Sequence, residues 1–565
     1  MYFSFETIQT LVVGFIVVYV ILWIKKPRLS ENEPPMVPYK IPIIGHTIDF
    51  LFNADTFFSK CRKHYGDTFN LYVFGRVITI AGSEASREIF KASDSFNLIE
   101  VLKDLLPLYH VLPRVNGFGD TQHMAKTYGD TFNLYVFGRV ITIAGSEASR
   151  EIFKASDSFN LIEVLKDLLP LYHVLPRVNG FGDTQHMAKT VREEITGKLS
   201  SYTGRMQEQL MIAINKEIGD CSNPKVIASG PIFFSKIIAR PMANIIVGEE
   251  ISKHEDVVNA FANTAFKLAI FLKLPPFLSF IHPKIHQQVV TLPLRFGWNP
   301  IREQIDTLKK RLRPVLEKRL KDKEVLGDKY KPPLDVIEYY LNEPGYGTTV
   351  ITDEYLNYIS EVLILIIFGS VHATTRHTSS ALYDFAGRPE LWDDLYEEQV
   401  KINKECNGAL TLEHVDRMVK LDSFLRESIR NFSDVAGLMH RCMEDSFTFK
   451  NNTTIPKDRI VYIYLNDSFY NKVYGPEPRS FQPYYGLNNN KLATKIDKNY
   501  YAFGAGKHAC PGRFLAINEI KICVHKLILN YHIKTESGKT DERGYDGPYV
   551  LPLNTGIVFE KRKNK

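Results

Sequence analysis

The sequence predicts a mainly helical protein with a smaller β-rich part and an N-terminal membrane-spanning helix. Residues 191–341 interleave charged and apolar residues with helical spacing, and residues 355–385 form a long, strongly apolar helix candidate. Residues 447–465 alternate like strands around an Asn-Asn turn, and residues 547–560 look like a second hairpin. Residues 7–24 carry no charge, which is close to the shortest length that spans a bilayer.

The composition is that of a large globular protein. The chain has 565 residues, of which 44% are hydrophobic and 24% are charged, so a disordered class is excluded. A net charge of +6 is small for this length and argues against nucleic-acid binding. The six cysteines are scattered without C-x-x-C spacing, which fits a reduced compartment and excludes a zinc ribbon or a disulfide scaffold.

The N-terminal residues have the pattern of a membrane anchor followed by a stiff hinge. Lys25, Lys26 and Arg28 follow the uncharged stretch, which is the reverse of the charge order in a cleaved signal peptide. The basic flank predicts that the rest of the chain is cytoplasmic. We therefore predict an anchor at residues 1–24, against the alternative of a helix lying in the membrane interface. Prolines at positions 34, 35, 38 and 42 predict a stiff hinge over residues 25–45.

Residues 65–127 are repeated without change as residues 128–190. Each copy has 63 residues and predicts a β-hairpin, then a helix capped by its serine at position 83 or 146, then a long loop. Two units are too few for a repeat array. Complete identity indicates either a recent duplication or an error in the coding sequence, and the error is favoured because a spare pair of strands would expose unpaired edges. Either copy can take the native place.

The apolar helix candidate over residues 355–385 carries small and proton-bearing residues in its middle. The run Val362–Phe368 is followed by Gly369, Ser370, Val371, His372, Ala373 and Thr374. This pattern is typical of a point where a ligand approaches the backbone and side chains donate or accept protons. The alternative is a buried helix whose Ser and Thr hydroxyls bond back onto its own carbonyl groups.

Two further motifs follow along the chain. Glu427 and Arg430 are three residues apart on one predicted helix face, close enough for an ion pair. The stretch Phe503–Arg513 is rich in glycine and ends in Cys510 just before a helical pattern, where N–H donors and the helix dipole favour a thiolate. A phosphate loop is excluded because Tyr501 stands at its first glycine position and His508 follows the lysine. A buried structural cysteine is the other reading of Cys510.

In this order, the motifs resemble the cytochrome P-450 family. The pattern F-x-x-G-x-x-x-C-x-G is similar to the family's haem-binding loop, with Phe503, Gly506, Cys510 and Gly512 at the matching positions. The resemblance implies a large helical domain with a long central helix, a small β-rich lobe, and a catalytic domain over residues 46–565. It also implies haem b between the central helix and the loop, with Cys510 as the axial thiolate ligand of the iron.

The resemblance also assigns roles to residues outside the loop. The Glu427–Arg430 pair matches a buried pair that stabilises the haem side of the core, although Tyr485 stands where the family has a third partner, an arginine. Arg441 and His508 match positions that donate to the haem propionates. On the central helix, His372 is at the family's acid position, as in a fungal subset, and Ala373 replaces the usual threonine. His372 and Thr374 are therefore the candidates for proton delivery.

The implied reaction is monooxygenation, in which one oxygen atom from O2 enters a hydrophobic substrate such as a sterol, a fatty acid or another lipid. Electrons would come from NADPH through a partner reductase, and the chain would be a single-pass protein of the endoplasmic reticulum membrane with a cytosolic catalytic domain. The pocket is expected at residues 97–117 or 160–180, 433–439 and 550–556. Two alternatives stand: a reductase-independent isomerase or dehydratase of oxygenated lipids, and an inactive product of the internal duplication.

Overall fold

The computed structural model describes residues 35–39, 46, 54–66, 68–73, 76–80, 131–136, 139–178, 184–269, 271, 283–546, 549–551 and 555–562. The predicted anchor, most of the predicted hinge, the junction between the two copies and the pocket segment 97–117 lie outside these residues. The described residues form two compact units, one within Met1–Pro107 and the other within Leu108–Lys565.

The N-terminal unit combines one helix with the hairpin of the first copy. Helix α1 (Ala54–Tyr65) precedes strands β1 (Phe69–Val73) and β2 (Arg76–Ile80), which pair antiparallel. The Asn70 N–H donates to the Pro35 carbonyl at 2.8 Å, and the Asn70 carbonyl accepts from the Val37 N–H at 2.9 Å. Val37, Cys61, Phe69 and Leu71 form a small buried cluster. The predicted hairpin of the first copy is therefore present.

The larger unit is mainly helical, as predicted. Short 3₁₀ and π turns extend several of its helices, including a π turn at Val191–Ile195. Its helices are α2 (Ser146–Lys154), α3 (Leu161–Leu168), α4 (Leu171–Val174), α5 (Thr184–Thr190), α6 (Leu199–Glu217), α7 (Gly230–Ser252), α8 (Glu255–Leu268), α9 (Pro283–Arg295), α10 (Arg302–Leu326), α11 (Val336–Asn342), α12 (Asp353–Ala386), α13 (Trp392–Glu405), α14 (Leu412–Asp416), α15 (Val419–Asn431), α16 (Leu465–Phe469), α17 (Tyr485–Asn488) and α18 (Arg513–Asn530).

The β-rich part of the larger unit is built around one mixed sheet with strand order β3-β4-β10-β7-β5. A three-stranded sheet has the order β11-β14-β6, and the pairs β8-β9 and β12-β13 complete the described strands. Their bounds are β3 (Thr131–Val136), β4 (Arg139–Ala144), β5 (Phe159–Asn160), β6 (Lys225–Ile227), β7 (Ala436–Cys442), β8 (Ser446–Thr448), β9 (Thr454–Pro456), β10 (Ile460–Tyr464), β11 (Tyr531–Thr535), β12 (Tyr545–Asp546), β13 (Tyr549–Val550) and β14 (Ile557–Lys561).

The long helix α12 runs through the middle of the larger unit. The Thr352 hydroxyl accepts the Tyr355 N–H at the start of the helix, and Gly387 follows its end. Helices α7, α8, α10, α15 and α18 pack around it. Among the described helices, α12 alone is long and apolar enough to cross a membrane, yet 61% of its apolar window is buried inside the protein, which indicates a core helix. The predicted central helix is confirmed.

The second copy supplies three of the five strands of the main sheet, β3, β4 and β5. Strand β4 pairs in parallel with β10, so that Ile141 lies opposite Ile460 and Ile143 lies opposite Tyr462. Strand β5, from the same copy, pairs with β7 at the other edge. The apolar side chains of β3, β4 and β10 share one buried cluster. In the larger unit, the main sheet therefore pairs with strands from residues 128–190.

Candidate functional site

A glycine-bent loop leads to the start of α18 and carries Cys510. Gly504 and Gly506 have positive φ angles of 68° and 64°, a backbone region that favours glycine. The Cys510 N–H donates to the Phe503 carbonyl at 2.8 Å and closes the loop. Gly512, with an ordinary φ of −91°, is the N-cap residue of α18. Cys510 therefore lies directly before a helix N-terminus, as the glycine pattern predicts.

The Cys510 sulfur is held by main-chain donors. The backbone N–H groups of Gly512 and Arg513 donate to it, and the Arg513 charge acts in the same direction, but burial outweighs them and raises the pKa of the Cys510 thiol. In the described part of the chain, no group of three or more His, Cys, Asp and Glu side chains is placed to hold a metal ion. A single protein sulfur is enough to bind a metal ion whose other ligands come from a prosthetic group.

The second copy also forms the surface on which this loop packs, which we call its seat: Phe153, Ser156 and Asp157. Gly506 packs against the main chain at the end of α2, because a Cβ atom at this position would lie 2.1 Å from the Phe153 carbonyl oxygen. The loop and its support are therefore complementary in shape. Two polar contacts join the same segments: Lys507 Nζ lies 2.6 Å from Asp157 Oδ1, and His508 Nε2 lies 3.1 Å from the Ser156 carbonyl oxygen.

One face of α12 is open in the middle of the helix. Gly369, His372 and Ala373 are exposed, although the turns on either side are mostly buried, and their spacing places them on one helix face. Burial and the nearby Arg376 charge lower the pKa of the His372 imidazole. Thr374 is 3% exposed and is two residues from His372, which places it on the other side of the helix. The two predicted proton carriers therefore do not share a face.

The Glu427–Arg430 pair forms and is buried. Arg430 Nε and Nη2 donate to the two carboxylate oxygens of Glu427 at 2.7 and 2.6 Å, and the two side chains are 3% exposed or less. Such a bidentate pair fixes both side chains in one geometry. The remaining polar groups are also satisfied: Arg430 donates to the carbonyls of Phe469, Pro478 and Ser480, and Glu427 accepts from the Asn431 side chain and the Gln482 N–H.

Tyr485 stands where the resemblance places an arginine. Its ring lies 4.6 Å from the ring of Tyr474, and the Tyr474 ring centroid lies 4.5 Å from the guanidinium carbon of Arg430. The Tyr485 hydroxyl donates to the Val473 carbonyl at 3.3 Å. The Tyr474 ring therefore covers Arg430, and the Tyr485 ring packs against Tyr474 at a tilt of 46°. The ion pair is hydrogen-bonded throughout without a third charged partner.

A bulge in β7 brings two basic residues to the edge of the Cys510 loop. Leu438 has a φ of 45°, and the pairing with β10 shifts register there. His440 is buried, which lowers its pKa to about 4, and its ring lies 6.5 Å from that of His508. Arg441 is half-buried and lies 3.9 Å from Asp458. His508 and the strand that carries Arg441 are therefore neighbours, as their predicted common role requires.

Sequence reasoning missed two charged residues close to these elements. Arg376 lies one turn beyond His372 on α12 and pairs with Asp434 at 2.7 Å. A charged residue four positions after His372 in an apolar helix could have indicated from sequence that the two share a functional face. Glu519, on α18, is fully buried, and neither carboxyl oxygen has a hydrogen-bond partner among the described residues. Burial raises its pKa well above the usual value. No sequence pattern distinguishes Glu519 from a surface glutamate.

Comparison with known proteins identifies the family. A family model described as cytochrome P450 matches residues 102–559, which include α12, the Glu427–Arg430 pair and the Cys510 loop. Cytochrome P450 monooxygenase 110 of Postia placenta is 25% identical over 445 residues, covering 75% of this chain and 84% of that protein. Cytochrome P450 monooxygenase 151 of the same fungus is 24% identical over 506 residues, covering 86% of this chain and 98% of that protein.

A third relative is more similar over a shorter stretch. Cytochrome P450 monooxygenase paxQ of Penicillium paxilli is 30% identical over 352 residues, covering 58% of this chain and 63% of that protein. All three relatives are fungal monooxygenases by their names, and the family model spans more than half of the chain. The chain therefore belongs to the cytochrome P450 family and is an oxidoreductase of its monooxygenase class.

Proposed function

We propose that the chain binds haem b with the Cys510 sulfur as the axial iron ligand and inserts one oxygen atom from O2 into a hydrophobic substrate. The observation that carries this proposal is the Cys510 loop. It offers one sulfur, held by two backbone N–H donors, at the start of a helix that packs against α12. NADPH would provide the electrons through a partner reductase.

The residues around the loop fit this group. Gly369 and Ala373 keep the open face of α12 free of large side chains, so a flat macrocycle can lie against it. Arg441 and His508 would hold the macrocycle's carboxylates, because cations and carboxylates form strong hydrogen bonds. Bound haem supplies oxygen binding and activation at its iron. Cys510 holds that iron, and Phe503, Gly506 and Gly512 hold the loop in shape.

His372 is our candidate for moving a proton at the open face. Its pKa is lowered by burial and then by Arg376, so the imidazole is neutral near pH 7 and can accept and return a proton at a ring nitrogen. Thr374 remains a candidate that acts from the buried side of the helix. Replacement of His372 by Ala is expected to lower turnover about a hundredfold, with the haem spectrum unchanged.

A second candidate function is favoured by one observation. The open face presents Ala373 where a hydroxyl is usual in the family, which weakens proton delivery to bound oxygen. A haem-thiolate isomerase or dehydratase acting on an already oxygenated lipid needs neither O2 nor reductase. Turnover of a lipid hydroperoxide without NADPH would identify this function.

We further propose the cellular setting that the N-terminal pattern indicates. Residues 1–24 would anchor the chain in the endoplasmic reticulum membrane, and residues 25–45 would act as the hinge. Residues 46–565, with the duplication, would form the cytosolic catalytic region. This arrangement fits a lipid-soluble substrate, such as a sterol or a fatty acid, and a membrane-bound reductase.

The test uses the full-length protein in detergent or nanodiscs with a fungal NADPH-cytochrome reductase. Steroids and fatty acids are first screened by shifts of the haem absorption band on binding. Hits are then incubated with NADPH under ¹⁸O2, and the products are analysed by mass spectrometry. Incorporation of one ¹⁸O atom that depends on NADPH supports the proposal. A product that forms without NADPH and contains no ¹⁸O supports the isomerase. Absence of the thiolate band from the spectrum of the reduced carbon-monoxide complex supports the inactive alternative.

A further inference from the structure

A cluster of charged side chains lies where α12 approaches the end of α15 and strand β13. Arg376 belongs to the face of α12 that carries Gly369, His372 and Ala373, because it lies seven, four and three residues after them. Its side chain is 30% exposed, in a helix whose neighbouring turns are buried. The guanidinium group therefore borders the space onto which His372 opens.

Only part of the Arg376 guanidinium group is used by the protein. Nη2 donates to Asp434 Oδ1 at 2.7 Å and to the Val550 carbonyl at 3.4 Å, and the group lies 4.8 Å from the centre of the Phe432 ring. Within the described residues, Nε and Nη1 of Arg376 make no hydrogen bond. The N–H groups of Nε and Nη1 lie on different edges of the guanidinium group, and each can donate a single hydrogen bond to a ligand.

Two further arginines belong to the cluster. Arg543 lies 4.6 Å from the same Phe432 ring and donates to Asp384 at 2.8 Å, and Arg388 donates to Asp384 as well. Three guanidinium groups thus share two carboxylates, Asp384 and Asp434. Asp434 is further engaged by the Val550 N–H at 2.9 Å. Asp434 Oδ1 is thus shared between Arg376 and a backbone donor.

Two buried polar atoms beside Phe432 also have no partner among the described residues. They are Nδ1 of His377, whose ring lies edge-on to Phe432 at 6.2 Å, and Oγ of Ser433, whose residue is 8% exposed. Burial lowers the pKa of His377 to about 3, so its ring is neutral and its nitrogens can accept or donate a hydrogen bond. Buried polar groups in native proteins are usually paired. A polar ligand group here would pair them.

We propose that Arg376 binds the carboxylate of the substrate, so that the enzyme acts on hydrophobic carboxylic acids. A cationic guanidinium group with free N–H donors can form a charge-assisted hydrogen bond with a carboxylate, and the apolar face of α12 suits a hydrocarbon body. The proposal rests on the proposed function, because the acid would occupy the space beside the haem. Asp434 is a positioning residue: it orients Arg376 and partly offsets its charge.

Binding of matched ligand pairs tests this proposal in the full-length holoenzyme. Each pair has the same body as a free acid and as its methyl ester, with straight-chain, diterpenoid and steroid bodies in the panel. Isothermal calorimetry measures affinity whether or not haem absorption changes. We expect at least one acid to bind about tenfold or more tightly than its ester, which is the value of a charge-assisted hydrogen bond.

Two variants separate anion binding from a structural role. Arg376→Gln is expected to remove the preference for the acid while ester affinity stays within about twofold; Arg376→Lys keeps part of it. Asp434→Asn should instead strengthen acid binding, because it removes the competing charge but keeps acceptors for Arg376 and Val550. A merely structural pair would weaken both ligands in both variants.

The outcomes are separable from those of the proposed function. If the reduced carbon-monoxide complex shows the thiolate band but no acid in the panel binds more tightly than its ester, the role of Arg376 is overturned and the monooxygenase proposal stands. Equal acid preference in wild type and Arg376→Gln also overturns it. Absence of the thiolate band together with an acid preference lost in Arg376→Gln supports the anion site and contradicts the haem assignment.

Discussion

The two copies of the repeated segment have the same residues but different partners. In the first copy, β1 and β2 pair with each other, and Asn70 bonds to Pro35 and Val37 of the N-terminal unit. In the second copy, β3 and β4 pair in the same register, but β4 also pairs with β10. The hairpin is thus a local property of the segment. Its place in a sheet depends on which distant strand is within reach.

The comparison also shows that, among the described residues, the main sheet and the Cys510 loop engage only one of the two copies. Strand β10 has two neighbours, β4 and β7, so it pairs with only one copy of the segment. The Cys510 loop likewise has one seat, formed by Phe153, Ser156 and Asp157. Since every residue of one copy has an identical counterpart 63 positions away, the chain contains its own matched controls.

The largest expected effect comes from a charge placed in the main sheet. Ile143 is fully buried between β3 and β10, so Ile143→Asp should cost on the order of 4 kcal/mol or more and prevent haem loading. The same change in the other copy, Ile80→Asp, should leave haem loading intact. Thermal unfolding and haem content measure both. Loss in neither single variant, with loss in the double variant, would show that the copies are interchangeable.

The next effect concerns the seat of the Cys510 loop. Gly506→Ala should destabilise the loop by about 2 kcal/mol or more, because its φ is 64° and the new methyl group would meet the Phe153 carbonyl. Gly538→Ala is the control: its φ is 71°, but no atom lies within 4 Å of the new Cβ. Haem retention during dilution reports on the loop. Equal retention in the two variants would mean that strain alone, and not contact with the second copy, sets the effect.

Removal of one copy should stabilise the protein. Deletion of 65–127 and deletion of 128–190 give the same 502-residue chain. The main sheet keeps its pairing, the spare two-stranded hairpin with its unpaired edges is removed, and the shorter chain lowers the entropy cost of closure by about 0.6 kcal/mol. Calorimetric unfolding of the haem-loaded protein measures this gain. A less stable chain would indicate that both copies are needed.

The smallest effect is expected at the exposed ion pair between Asp157 and Lys507. The hydrogen bond from Lys507 lowers the pKa of Asp157, so the pair stabilises the protein at neutral pH, above the unfolded pKa of an aspartate. This contribution is lost as pH falls through the lower folded pKa. Asp157→Asn should therefore lower the unfolding temperature slightly at pH 7 and less as the pH falls below the unfolded pKa, and salt should reduce the difference. Asp94→Asn should change nothing at either pH.

The sequence was sufficient where a feature depends on residues close together in the chain. The apolar run predicted α12, the spacing of Glu427 and Arg430 predicted their ion pair, and the glycines predicted the loop that bends around Cys510. In each case the interacting groups are a few residues apart, so periodicity and turn chemistry carry the information.

Features that depend on distant partners were not predictable. The serine cap predicted for the repeated helix is wrong in the second copy: Gly145 is the N-cap residue, and the Ser146 N–H donates to Asp467, 321 residues away. The hairpin predicted over residues 547–560 is also wrong. Strand β13 pairs with β12, whereas β14 pairs with β11 and β6. The pairing of Arg376 with Asp434 and the aromatic cover over Arg430 depend on tertiary packing in the same way.

The absorption spectrum of the reduced carbon-monoxide complex tests the central claim most directly, because its Soret band reports a thiolate ligand on haem iron. Wild type and Cys523→Ser should both show the thiolate band, since Cys523 is a buried cysteine within α18. Cys510→Ser should lose it while retaining a folded far-ultraviolet circular dichroism spectrum. Persistence of the thiolate band in Cys510→Ser would contradict the assignment of Cys510 as the iron ligand.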